Sequence, residues 1–145
     1  MRTKLSAIII CALLFACNSS NKKEISKINN TKQSPELKQS KERGEDIYND
    51  FCIACHMPNG NGVPKTFPPL KNSDYLMNNR NKSIKAIKYG LSEEIVVNGE
   101  TYNTPMTRLG LSDAEVADVM NYITNSWGNN NPSIITEKEV SKINP

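Results

Sequence analysis

The chain has 145 residues, with 18 Lys and Arg against 15 Asp and Glu, four cysteines and a single histidine. The near-balance of charge, +3 overall, gives no reason to expect a nucleic-acid partner, and one histidine excludes chemistry that needs two. Aromatic residues make up 6% of the chain, so large side chains for a core are few, and neither an internal repeat nor a phosphate-cradling glycine loop is present.

The opening MRTKLSAIIICALLFAC carries Arg2 and Lys4, then an apolar run from Ala7 to Ala16 that stops at Cys17. A membrane-spanning helix needs about 20 apolar residues. Polar NSSNKK follows at once, so residues 1–16 are read as a secretory signal peptide, and Cys11 leaves with it. Leu14-Phe15-Ala16-Cys17 resembles the lipobox of bacterial lipoproteins, which implies acylation of Cys17 as the first mature residue. The plainer alternative is an ordinary cleavage after Ala16 that leaves an unmodified thiol. Acyl chains on Cys17 would hold the protein on the periplasmic side of a bacterial membrane. Each buried methylene contributes about 0.8 kcal/mol, and a single chain is marginal. Residues 18–41 are mostly Asn, Lys, Ser and Gln, with six Lys against two Glu. Ile25, Ile28 and Leu37 are too few to offset the entropy of ordering them, so 17–41 is expected to be a flexible linker.

Composition shifts near Glu42, and one domain is expected over 42–128. Glu42 to Cys52 reads as a short helix, with Ile47, Tyr48 and Phe51 on one side. Phe67-Pro68-Pro69-Leu70 is a rigid extended turn. Lys82 to Tyr89, with Ile84 and Ile87, makes one or two helical turns ended by Gly90. In EIVVNGETYN, strand-favouring residues flank Asn98-Gly99, the pair that best tolerates the positive φ angles of a two-residue hairpin turn. Ser112 and Glu115 form a capping box, after which Val116, Val119, Met120, Ile123 and Trp127 recur at helical spacing up to Gly128. The polar tail, 129–145, is either disordered or covers part of the domain through Ile134, Ile135, Val140 and Ile143. A domain of about 87 residues buries only about 60–65% of its unfolded surface, so its core needs help from outside the polypeptide or from a covalent link.

The chemistry concentrates in Cys52-Ile53-Ala54-Cys55-His56, a C-x-x-C-H run that is the attachment signature of c-type haem. Each thiol adds to one vinyl group, and the following histidine is thereby placed under the iron. Three rivals stand beside it. A redox dithiol would want the pair at the start of a helix, whereas here a helix precedes it. Structural zinc needs two further Cys or His ligands beside the cysteine pair, and apart from the adjoining His56 the mature domain has none. A plain disulfide leaves His56 without a role. An electron-carrying haem usually has a sixth ligand, and methionine raises its potential. Met1 is lost, Met57 adjoins His56, and Met77 and Met120 fit core packing. Met106, in the irregular stretch YNTPMTRLGLS, is the candidate.

Together these residues resemble a class I cytochrome c domain of the bacterial single-haem type, over Glu42 to Gly128. Gly44 and Tyr48 resemble that family's first helix, where glycine permits a close helix crossing and the aromatic packs near the haem. GNGVPKTFPPL resembles the segment whose proline carbonyl, here Pro68, accepts a hydrogen bond from the proximal histidine, with Leu70 against the porphyrin. Met106 falls in the axial slot, with Tyr122 and Trp127 on the closing helix, and Thr107 stands where many relatives have proline. The resemblance implies a mostly α fold: three to four helices around one covalently bound haem c, with a short β-hairpin. It implies a cofactor site of Cys52, Cys55, His56 and Met106, the last two on the metal.

The function so implied is single-electron transfer between redox protein partners or a neighbouring membrane oxidoreductase, by a monomer that is not an enzyme. The rival classes are a haem enzyme or gas sensor with an open axial position, and a haem-free binding lipoprotein. Residues 42–128 carry eleven acidic against eight basic residues, and Arg80, Lys82, Lys85 and Lys88 form a basic strip. That strip reads either as a solvated helix face or as a docking patch for an acidic partner.

Overall fold

The computed structural model describes residues 33–145. The signal peptide, Cys17 and the linker up to residue 32 lie outside the described residues. Those described form helices α1 (Pro35–Phe51), α2 (Ile53–His56), α3 (Asp74–Asn78), α4 (Arg80–Tyr89), α5 (Asp113–Ile123) and α6 (Glu137–Val140), and strands β1 (Ile95–Val97) and β2 (Glu100–Tyr102). The fold is mostly helical, with one small antiparallel hairpin. Among these residues no helix is long and apolar enough to cross a membrane.

The first helix corrects the expected linker boundary: it starts at Pro35, seven residues before Glu42. Ser34 Oγ accepts from the Leu37 amide at 3.2 Å, Pro35 supplies a preset φ, and Glu36 sits in the first turn, where the helix dipole favours it. Leu37 and Ser40 are buried, so this polar turn is part of the domain. α1 packs along α5, and Gly44 is where they come closest. A Cβ there would overlap the backbone carbonyl of Asp118. Around the crossing runs a hydrogen-bonded network. Asp118 accepts from Ser40 Oγ at 2.6 Å and from Arg43 at 2.6 and 2.8 Å, while Asn121 donates to Ser40 Oγ at 2.8 Å.

α5 begins as expected. Ser112 Oγ accepts from the Glu115 amide at 3.3 Å, and Glu115 accepts from the Ser112 amide at 2.8 Å. It ends earlier than expected, at Ile123 rather than Trp127. The last turn tightens there: the Asn125 amide donates to the Tyr122 carbonyl, three residues back, at 3.0 Å, and Thr124 Oγ1 and Ser126 Oγ add bonds to the carbonyls of Met120 and Tyr122 at 2.7 Å each. Trp127 then adopts a positive φ and folds back onto Tyr48 and Tyr122, with ring centroids 5.1 and 5.6 Å away. The hairpin is as read, with Asn98 and Gly99 both at positive φ and Ile95 opposite Tyr102.

Of the two readings of the tail, the structure has the second. Ile135 and Val140 are buried to 2% and 0% exposure. Asn121 clamps the Ile135 backbone on both sides at 2.8 Å. Arg80 holds Glu139 through two hydrogen bonds, 2.6 and 2.7 Å, and the carbonyls of Ser133 and Ile134 at 3.0 Å. Lys88 pairs with Asp113 at 2.8 Å and donates to the Val140 carbonyl at 2.9 Å. The basic strip is thereby corrected: Arg80 and Lys88 are engaged internally, and only Lys82 and Lys85 remain exposed on that helix.

Replacing Ile135 by Ala is expected to cost about 2–5 kcal/mol, read as a lowered urea midpoint at unchanged slope. A loss under about 0.5 kcal/mol would mean that the tail does not contribute to the core. The Arg80 guanidinium holds the Glu139 carboxyl below the usual carboxylate range. A depressed folded pKa gives stability that is present above the unfolded value and lost as pH falls through the folded one. The stability gap between the wild type and Glu139→Gln should therefore be open at neutral pH and close on acidification, as followed by melts across pH.

Candidate functional site

α1 hands over directly to α2 through Cys52, whose amide bonds the Tyr48 carbonyl at 2.9 Å. The amides of Cys55 and His56 both return to the Cys52 carbonyl, at 3.1 and 2.9 Å. Cys52, Cys55 and His56 therefore stand at i, i+3 and i+4 of one helical turn, the spacing that puts three side chains on a common face. After His56 the chain reverses at Met57, at φ 65°, and the buried Tyr48 hydroxyl fixes that reversal by donating to the Met57 carbonyl at 2.6 Å. Burial, then Cys52 and Tyr122, push the Tyr48 phenol well above its ordinary range, so it stays a donor.

His56 Nδ1 lies 3.0 Å from the Pro68 carbonyl oxygen. A carbonyl only accepts, so Nδ1 carries the proton and Nε2 keeps a free lone pair. Burial pushes the ring toward its neutral form, against the opposing pull of Pro68. The Pro68 loop is tied by Gly62 to the His56 carbonyl at 3.0 Å, by Leu70 to Gly60 at 2.8 Å and by the Val63–Phe67 bridge. Gly62, at φ 62°, lies so near the carbonyls of Phe67 and Pro68 that a side chain would displace them.

Met106 is held by a two-way backbone bridge to Leu91, 2.8 Å in each direction. Gly90, at φ 88°, ends α4 and lets that bridge approach, since a Cβ there would come within 2.8 Å of the Met106 carbonyl. His56 and Met106, distant in sequence, both line two adjoining chambers, whose shared wall also includes Cys52, Pro68, Leu91 and Ile95. Of the four methionines described, only Met106 does so. Met120 is fully buried in the core, Met77 packs against that core, and Met57 lines neither chamber.

The cleft suits a large flat apolar group. Its inner chamber is walled mainly by Leu70, Leu76, Ile87, Val97, Val119 and Ile123, and its outer one by Phe51, Phe67, Tyr102 and Leu109. Two thiols reach its edge, one imidazole nitrogen is free and a thioether is present, which is the donor set of a haem with two axial ligands. The rival readings fare worse. Burial and then Cys55 push the Cys52 thiol up to about 11, opposite to the lowered value of a redox nucleophile. No group of three or more Cys, His, Asp or Glu able to hold a metal ion occurs among the described residues. Sequence reasoning missed α3, which brings Tyr75 and Leu76 to the inner chamber. Ser73, whose Oγ accepts from the Leu76 amide at 3.1 Å, was the available start signal.

Fold and cleft thus define a small helical domain built to enclose a haem on a C-x-x-C-H turn, and comparison with known proteins agrees. The sequence profile of the family described as "Cytochrome c" matches residues 41–127, and the chain belongs to that family. It is 39% identical over 90 residues to cytochrome c-552 of Thermus thermophilus, covering 59% of this chain and 68% of that one. It is 29% identical over 102 residues to the cytochrome c subunit of the quinone alcohol dehydrogenase of Gluconobacter oxydans (strain 621H), covering 69% of this chain. The match spans only 21% of that subunit's length. The domain is therefore that of a c-type cytochrome, a family whose cofactor is covalently bound haem c.

Gly62→Ala and Gly99→Ala form a matched pair. Both glycines have positive φ, but nothing lies within 4 Å of a Cβ at Gly99. Gly99→Ala should cost about 1 kcal/mol from backbone strain alone, and Gly62→Ala about 1–3 kcal/mol more from overlap with the Pro68 strand. Denaturant titration of both variants checks the difference.

Proposed function

We propose that the domain binds a single haem c through thioether bonds to Cys52 and Cys55, with His56 Nε2 and Met106 as axial ligands, and carries one electron at a time between redox partners. The observation that carries this reading is that His56 and Met106 line the same apolar cleft, at whose edge both cysteines stand. When bound, haem c supplies one-electron chemistry at its iron. The chain's own residues do the rest. The Pro68 carbonyl sets the His56 tautomer and strengthens it as a donor, the Leu91 bridge sets Met106, and the apolar walls keep water from the centre. With both His56 and Met106 holding the iron, no coordination position would be left open, which speaks for a carrier over a peroxidase or gas sensor.

The same reading places the domain at a membrane surface. Leu14-Phe15-Ala16-Cys17 supports a lipid on Cys17 facing the periplasm, with the residues up to Ser34 as tether. The relative that is the cytochrome c subunit of a quinone alcohol dehydrogenase supports a membrane oxidoreductase as one partner. Metabolic labelling with a fatty acid, compared between wild type and Cys17→Ser, tests the anchor. Label on the wild type alone, with release of the variant into the soluble fraction, is expected.

A pyridine haemochrome assay on denatured protein should report one haem per chain, lost in the Cys52→Ala, Cys55→Ala double variant. Met106→Leu should abolish the low-spin ferric spectrum and lower the potential by on the order of 0.1 V, within the roughly 0.8 V that axial ligands span. Met120→Leu should preserve both. The opposite pattern, or carbon monoxide binding by the wild type, would overturn the ligand set.

A further inference from the structure

Ser83 lies mid-way along α4 and is 5% exposed, yet its Oγ has no hydrogen-bond partner. It is the one buried side-chain nitrogen or oxygen among the described residues in that condition. Other buried polar side chains are engaged: Ser40, Asp118 and Asn121 with one another, Ser73 with the Leu76 amide, Thr124 with the Met120 carbonyl. A buried hydroxyl without a partner carries its full desolvation cost, and the neighbours of Ser83 on the same helix face, Ala86 and Ile87, show that the position accepts apolar groups. Ser83 lines the inner chamber, so its partner arrives with whatever fills that chamber.

The chemistry of a haem narrows the choice. Its rim is hydrocarbon apart from two propionate carboxylates, which lie on the edge opposite the vinyl carbons consumed by the cysteines. Cys55 lines only the outer chamber, whereas Ser73, Tyr75 and Ser83 line only the inner one. A macrocycle fixed at Cys52 and Cys55 therefore carries its carboxylates away from Cys55, toward the end that Ser73, Tyr75 and Ser83 line. No Lys or Arg lines that chamber, so hydroxyls are the donors it offers to a carboxylate. We infer that Ser83 Oγ–H donates a hydrogen bond to a haem propionate, with Tyr75 on the same wall. This inference rests on the haem reading given under Proposed function. A hydrogen bond to an ionised acceptor is roughly twice as strong as a neutral one. It also disperses carboxylate charge near the iron, which favours the ferrous state.

The test uses the mature haem-loaded protein as wild type, Ser83→Ala and Ser83→Thr. It compares the propionate carboxylate stretch in ferrous-minus-ferric infrared difference spectra and the ferrous-to-ferric ratio at one fixed poise and pH. Ser83→Ala should lose the hydrogen-bonded carboxylate band, lower the ferrous share several-fold and leave the Met-ligated spectrum intact. Ser83→Thr, which keeps the hydroxyl, should restore the band. Bands and ratios that superimpose across all three proteins overturn the proposal, because Ser83 then bonds to water or to its own helix. A rise in melting temperature of Ser83→Ala with an unchanged band does the same, since it marks a hydroxyl that stays unpaired in the loaded protein. In either case the haemochrome assay still finds haem, and the carrier reading survives. A chain that matures without haem sinks that reading and this proposal together.

Discussion

The hydrogen bond from His56 Nδ1 to the Pro68 carbonyl is the constraint on which the site depends. An imidazole has two nitrogens, and only the fixing of one as donor makes the other a dependable ligand. Nearly every unusual backbone feature nearby serves that bond. Met57 reverses the chain so that the loop can come back over the histidine, and Tyr48 holds the reversal from the first helix. Gly62 lets the strand bearing Pro68 lie against it, and Gly60 leaves space for the Trp127 ring, which packs on Tyr48. The first and last long helices are thereby connected to the orientation of one ring.

What could be read from the sequence was what local chemistry determines. The C-x-x-C-H spacing places its three side chains on one helical turn, whatever surrounds them. Asn98-Gly99 sets its turn by φ preference, and the Ser112–Glu115 box needs only four residues. Met106 was the candidate ligand by exclusion, since Met57 adjoins His56 and Met77 and Met120 fit packing, and of the described methionines it alone lines the cleft. The missed features depend on distant partners. Leu37 looked too isolated to order a polar segment, but it is buried on a helix that packs along α5. Ser34-Pro35-Glu36 was a visible helix start, masked by the composition on either side. Arg80 and Lys88 read as part of a free basic strip because their partners, Glu139, Asp113 and the tail carbonyls, lie far along the chain.

These partners also bear on how a small domain with few aromatics becomes stable. α1 and α5 meet through a glycine, so their backbones approach closely, and Ile135 and Val140 of the tail join the core cluster beside them. The three-ring cluster of Tyr48, Tyr122 and Trp127 covers the other end of the crossing. Much of the remaining interior faces the cleft, so the polypeptide and its cofactor share one core.

The tail's part in that core has a consequence in time. Ribosomes deliver a chain from its amino end, and domains close only when their contacting parts have emerged. Here the two thiols and the histidine appear early, while Ile135, Glu139 and Val140, which complete the packing of α4 and α5, come last. The packing of α4 and α5 is therefore complete only once residues 135–140 have joined it, well after the cysteine turn has been made.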